Sequence, residues 1–268
     1  ICKKCPLFYD CLGKGIENHI FELPRLSEKR FSGLKELGIF CINDIPDDFE
    51  LTEHQAMVRN CVINQSPWVS EELNSELESI KWPVFYLDFE TAMTAIPFYP
   101  DVAPYTQLVT QYSIHKCAKP GAIQIQRSYL CDHRRDDRRS LAEKLIKDLE
   151  KAGSILTYSS FEKTTVNNLA IIYPDLAGKL RLLVDRMVDL EAIIRKNFYH
   201  HDLHGSTSVK VTLPVLVPEM SYDDFEIADG DSASAAFSYL VMGRYKNKAE
   251  VEQVRANLLK YCAQDTMA

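Results

Sequence analysis

Hydrophobic and polar positions follow two periods along the chain, and the change falls near residue 80. Before it, apolar residues recur at helical spacing over 27–37, 51–63 and 70–80. Gly38 is placed to stop the first stretch and Thr52 to cap the second, the pattern of a small helical hairpin. The segment "INQSPWVSEELNSELESIKWP" reads as a connector. From Trp82 the period shortens. "PVFYLDFE" is a nearly continuous apolar run ending in acids, which predicts a buried strand. "QLVTQYSIHKC" and "AIQIQRSYL" alternate on either side of "AKPGA" and predict paired strands. A helix over 135–151 that stops at Gly153, a strand at "SILTYS" and a helix over 161–172 come next. "LRLLVDRMVDLEAIIRKNF" predicts a short strand or helix and then a helix, and 208–215, 232–242 and 248–267 are helical. The order β-β-β-α-β-α followed by helices predicts an α/β fold, a mixed β-sheet flanked by helices. It covers 81–268, with a small helical appendage at 1–80.

Hydrophobic residues at 46% and charged residues at 26% place the chain among ordinary soluble globular proteins. No apolar run reaches the roughly 18 residues of a spanning helix, so no membrane partner is expected. No basic leader followed by an apolar stretch opens the chain, and a cytoplasmic location is the expectation. Ile at position 1, and an end right after a motif, lead us to expect a piece of a longer protein. The net charge of -7 argues against coating of a long duplex through a basic face. It leaves room for a small site that takes one strand end, where bound metal supplies positive charge.

Three spots carry candidate chemistry. Asp88 and Glu90 are two apart on a predicted strand, so their carboxylates share a face with Phe89 behind. Two adjacent carboxylates repel unless a cation sits between them; the plainer alternative is a strand running out into solvent. Glu162 lies in the first turn of a helix, where the macrodipole alone is sufficient reason for an acid. Tyr261 and Asp265, four apart, share a helix face and leave Cys262 and Ala263 on other faces. Asp185 and Asp189 are also four apart.

Taken together, "YLDFET", "LTYSSFEK" and "YCAQDT" resemble, in order and setting, the motifs of the DnaQ-like 3′→5′ exonuclease superfamily. These are the Tyr-bearing members of its four-acid class, and the resemblance spans about Trp82 to Ala268. One departure is the middle acid, Glu162 in Ser-Ser-Phe-Glu, where the superfamily usually has Asp in Asn-x-x-Phe-Asp. "AIPFYPDVAPYTQLVTQYSIH" and "HGSTSVKVTLPVLVPEMSYDDFEIADGDSASAAF" look more narrowly like a bacterial family catalogued as a domain of unknown function, often found after RecB-like iron–sulfur nuclease regions. The resemblance implies an RNase H-like fold, a nucleic-acid partner entering as a single strand or 3′ end, and two Mg2+ or Mn2+ held by carboxylates. In it Asp88 bridges, Glu90 and Asp265 complete one site, Glu162 holds the second cation, and Tyr261 positions the attacking water. It also implies a surface place for Asp185 and a supporting place near the acids for Asp189. Thr91 falls where a terminal nucleotide sits, and Ser206 and Lys210 in "HGSTSVK" offer a phosphate cradle at a helix start.

"CKKCPLFYDCLGKG" sets Cys2, Cys5 and Cys11 at a spacing that resembles three of the four cysteines of the iron–sulfur staple in RecB-like nucleases. It implies a [4Fe-4S] cluster, or Zn2+, in an intact parent chain with a RecB-like nuclease region upstream. Reduced, unliganded thiols are the alternative. Three rivals to the exonuclease stand: an RNase H-like endonuclease, an RNA-directed exonuclease, and a noncatalytic nucleic-acid-binding or scaffolding module on the same fold.

Overall fold

The computed structural model describes residues 5, 7–220 and 229–268. Its contacts divide the chain into two units, Ile1–Ser75 with Ala192–Glu219, and Glu76–Glu191 with Met220–Ala268. The region expected at 81–268 is therefore interrupted: residues 192–219 belong with the first unit.

The first unit contains α1 (Glu28–Glu36) and α2 (Glu53–Asn64). Ser27 accepts from the Arg30 N–H to cap α1, and Thr52 forms a capping box with Gln55 on α2. Part of the expected connector is a strand. β1 (Trp68–Val69) pairs antiparallel with β7 (Phe198–Tyr199) in the returning segment. The core of this unit is built from Ile20, Leu23, Leu34, Ile42, Ile45, Val58 and Val62, and Tyr199 packs among them. Glu22, buried, binds both the His19 N–H and the His204 Nδ1, a second tie to the returning segment.

A short helix α3 (Leu73–Glu78) leads into the second unit. Its sheet is β2 (Val84–Ala92), β3 (Leu108–Cys117), β4 (Ile123–Leu130), β5 (Ile155–Thr157) and β6 (Met187–Asp189), in spatial order β4-β3-β2-β5-β6. β2, β3 and β4 form an antiparallel meander, while β5 runs parallel to β2 and β6 parallel to β5. The helices of this unit are α4 (Arg138–Asp148), α5 (Phe161–Ile172), α6 (Ala177–Val184), α9 (Gly230–Val241) and α10 (Lys248–Asp265). Between them, α7 (Leu190–Asn197) crosses from one unit to the other, and α8 (Val209–Leu216) belongs to the first. The α/β architecture expected of the sequence is thus present, and α6-β6 resolves "LRLLVDRMVDL" into a crossover and a fifth strand. Among the described residues no helix is long and apolar enough to cross a membrane.

Two features set the ends of the central strands. Arg186, just before β6, donates to the carbonyls of Leu149, Glu150, Ala152 and Gly153 and closes the turn between α4 and β5. Gly153 has φ +88 in that turn, and a Cβ there would run into the carbonyl oxygen of Pro83. Both the positive φ and the close approach demand glycine. Gly153→Ala is expected to lower the unfolding free energy by more than ~1 kcal/mol, read as a fall in the urea midpoint. An unchanged midpoint would show that the Pro83 carbonyl moves aside freely.

Candidate metal centre

β2 carries the first two acids. Its alternation buries Leu87 and Phe89 on one side and turns Asp88 and Glu90 to the other. The cross-strand partners of these acids on β3 are Ser113 opposite Asp88 and Gln111 opposite Glu90. Just past Glu90 the register slips, so that Thr91 pairs with Val109, and the extra residue Thr110 donates its hydroxyl to the Glu90 carbonyl. A bulge here fixes the direction of the strand end that presents Glu90.

α10 brings the third acid. Gln111 Nε2 donates to the Leu258 carbonyl at 2.9 Å, and Thr266 Oγ1 lies 2.8 Å from both Ser113 Oγ and His115 Nδ1. Arg255 donates to the carbonyls of Cys131 and Leu130. The helix is held to the sheet at Arg255, Leu258 and Thr266, with Tyr261 and Asp265 on the face toward β2. One ligand oxygen from each of Asp88, Glu90 and Asp265 can be chosen so that all lie within 4.8 Å of one another. This is the grouping expected from the motifs, obtained here from strand pleat and helix docking alone.

Glu162 comes from the first turn of α5, after β5, as the strand–helix pattern implied. It is buried, accepts from Ser159 Oγ, and stands outside the set of three while its charge still bears on Asp88. Asp189, at the end of β6 beside Thr157, acts in turn on Glu162. Its expected place near the acids is met.

The electrostatics follow from crowding. Asp88 is pushed well above the usual carboxylate range, first by burial and then by Asp265, Glu90 and Glu162. Glu162 is raised from 4.5 to about 7, mainly by burial. Tyr261 is buried and donates to Asp265; burial and the three surrounding acids hold its hydroxyl firmly protonated. Cys262 departs from expectation. Its thiol is fully buried and directed at Asp88, 3.7 Å from Oδ2, rather than on an unrelated face. Burial first, and then the acids, hold that thiol protonated too.

Three hard carboxylate donors in one small volume, each opposing ionisation of the others, suit a divalent cation such as Mg2+ or Mn2+. The sequence pattern missed the buried polar face of β3. Gln111, Ser113 and His115 alternate as an exposed strand face would, but α10 covers them. The signal was present in the match of their period to that of Asp88 and Glu90.

Other expected site residues fare differently. The Thr91 hydroxyl accepts from Gln107 and lines a niche of about 20 Å3, room for a water and not for a base. Ser206 and Lys210 belong to the first unit, where Ser206 lines a larger cavity. Cys5 and Cys11 are exposed and form no disulfide, and Cys2 lies outside the described residues. No His-rich cluster was read from the sequence, yet His200, His201 and Asp202 place ligand atoms within 4.8 Å of one another. There the His200 Nδ1 already accepts from the Asp202 N–H, which caps a single 3-10 turn.

Residues 85–208 match the family model described as Domain of unknown function (DUF2779). That span includes Asp88, Glu90 and Glu162 and ends before Tyr261 and Asp265. A curated relative, "Uncharacterized protein MG366" of Mycoplasma genitalium, is 24% identical over 224 residues. The alignment takes in 75% of this chain and 33% of the relative, so the chain spans about a third of that protein's length. Among solved structures, one reported as "3'-end specific recognition of histone mRNA stem-loop by 3'-exonuclease" is 14% identical, with 90% of this chain and 87% of that chain covered. Its TM-score of 0.36 is too low for the likeness to bear on fold or chemistry.

A raised acid makes the metal-free fold lose stability as pH rises. Below about 4.5 Glu162 is protonated folded or unfolded, and it costs nothing. Between 4.5 and about 7 the unfolded chain releases its proton while the folded one keeps it, so stability falls, and above 7 the loss is complete. At about 1.4 kcal/mol per pH unit this is on the order of 3 kcal/mol. Thermal unfolding in EDTA is therefore expected to show a lower Tm at pH 8 than at pH 5.5, with Glu162→Gln flattening the profile. Adding Mn2+ at pH 8 is expected to raise the Tm of the wild type and to leave Asp88→Asn nearly unmoved. Equal Mn2+ shifts in the two proteins would show that the cation binds elsewhere.

Proposed function

We propose that the second unit is a metal-dependent 3′→5′ exonuclease that hydrolyses phosphodiester bonds at the end of a nucleic-acid strand. The observation that carries this is the convergence of Asp88, Glu90 and Asp265 within 4.8 Å. The groups that raise Asp88 after burial are all acids. A fold gains nothing in stability from such a cluster, and a cation is the ordinary way to make use of it.

Two Mg2+ or Mn2+, when bound, would neutralise the scissile phosphate and lower the pKa of an attacking water. The rest falls to the chain. Asp88 would serve as the shared ligand, Glu90 and Asp265 would complete one site, and Glu162 from α5 would hold the second cation. Tyr261, held protonated, orients water through its hydroxyl and does not act as a base. Cys262 behind Asp88, and the buried contacts of Gln111, Ser113 and Thr266, keep the ligand carboxylates from swinging apart. The cysteines form a separate proposal. Cys2, Cys5 and Cys11 would ligate an iron–sulfur cluster or Zn2+ together with a residue from an upstream RecB-like region of a parent chain.

A 5′-labelled single strand of DNA or RNA incubated with Mn2+ is expected to shorten stepwise from its 3′ end, and to stay intact in EDTA. Asp88→Asn and Asp265→Asn should each lower the rate by about a hundredfold or more, as loss of a group that stabilises transition-state charge does. Tyr261→Phe should lower it less and leave Mn2+ affinity unchanged. Binding without cleavage by the metal-loaded protein would favour the noncatalytic module instead.

A further inference from the structure

The first unit holds a cavity of about 790 Å3 whose lining combines aromatic rings with three cations and two acids, Glu22 and Glu53. Trp68 on β1 and Tyr199 on β7 lie directly opposite each other, so their rings share one face of the two-stranded ribbon and both line the cavity. Trp68 is partly buried and Tyr199 buried. Arg25, Arg195 and Lys196 supply the cations, all three exposed, and Ser206 adds a hydroxyl. The volume falls in the range of small-ligand sites, roughly 300–1,000 Å3.

A plainer account covers part of this. Arg195 and Lys196 end α7, where cations offset the helix dipole, and Lys196 pairs with Glu72 at the surface. It does not cover Arg25. This residue has φ 49, a left-handed conformation in which a side chain is strained and glycine is not. The chain nonetheless keeps an arginine there, lining the same cavity as the other two cations. Convergence of three cations from two distant segments stands out in a chain of net charge -7.

We propose that this cavity binds a nucleotide unit of single-stranded nucleic acid, with its base against Trp68 and its phosphate among Arg25, Arg195 and Lys196. The choice of ligand rests on the nuclease reading of the second unit. An indole face stacks on any base, and guanidinium and ammonium groups hold phosphate oxygens, so the hold is independent of sequence. Ser206, expected from "HGSTSVK" to help hold phosphate, lines this cavity and offers a hydrogen bond to the sugar–phosphate backbone.

The test is binding of a fluorescein-labelled single-stranded 15-mer to the full chain by anisotropy, in EDTA so that nothing is cut. Arg195→Ala with Lys196→Ala is expected to weaken binding about tenfold or more. It should also flatten the plot of log affinity against log salt by ~0.7 for each phosphate that is no longer neutralised. Trp68→Ala should weaken binding about tenfold and Trp68→Phe much less. Because Trp68 touches the core, circular dichroism must show each variant folded, and the exposed double variant keeps the test decisive if Trp68→Ala fails to fold. Arg25→Gly should raise the Tm while weakening binding, a combination that a merely structural role does not produce. The proposal is overturned by a wild type that does not bind the strand in EDTA, by unchanged affinity in the folded double variant, or by equal competition from polyglutamate. Strand binding through these residues without cleavage in Mn2+ would remove the nuclease reading and leave this one. Cleavage with binding indifferent to them would do the reverse.

Discussion

Mutual repulsion among Asp88, Glu90 and Asp265 is the constraint around which the second unit is arranged. Two full charges 4.8 Å apart oppose each other by ~3 kcal/mol at an effective dielectric constant near 20. A helix free to move would turn Asp265 outward and relieve that strain. α10 is not free, because Gln111, Ser113 and His115 bind it at Leu258 and Thr266 and its own Arg255 binds the carbonyls of Leu130 and Cys131. Neutral hydrogen bonds contribute about 0.5–1.5 kcal/mol each, so the set is of the size needed to hold one ionised pair in place. Burial is the main reason that Asp88 and Glu162 lie above their ordinary range, and repulsion adds to it, from Asp265, Glu90 and Glu162 at Asp88 and from Asp189 at Glu162.

The order of events along the chain serves this arrangement. β2 sits in the middle of the sheet, between the meander and the two parallel strands, so its pleat is fixed from both sides. β5 pairs β2 at Phe85 and Tyr86, and Asp88 and Glu90 beyond them are held by β3, opposite Ser113 and Gln111, while Glu162 and Asp265 come from helices. The bulge at Thr110 shifts the register just where the acids stop.

Much of this was legible in the sequence, and the reasons are local. The helix over 161–172 has a strand before it and an acid in its first turn, and it forms with those bounds. The strand at Asp88 follows from an apolar run too short for a helix. What was not legible depended on pairings distant in sequence. β1 and β7 are two residues each and carry no period, so nothing marked 192–219 as part of the first unit. β6 was ambiguous for the same reason, since three residues can be read as strand or helix edge. The burial of Gln111, Ser113 and His115 was not legible because alternation reports that two faces differ, not what covers either. Cys262 was assigned elsewhere from helix geometry alone, which knows the angle between residues and not where the neighbouring strand lies.

Charge connects the two proposals. A strand of nucleic acid is a polyanion, and a chain of net charge -7 with its acids gathered in one site repels it. On the nuclease reading, that repulsion is reversed locally at the acids by divalent cations, whose charge the carboxylates concentrate. Such a reversal holds one phosphate and not a length of strand. A protein built this way needs a second hold that does not depend on metal, and one that reads no sequence if it is to act on successive nucleotides. Aromatic stacking with two or three basic side chains meets both requirements. Arg25 in a strained backbone is the feature of the first unit that such a hold explains and that helix-end electrostatics does not.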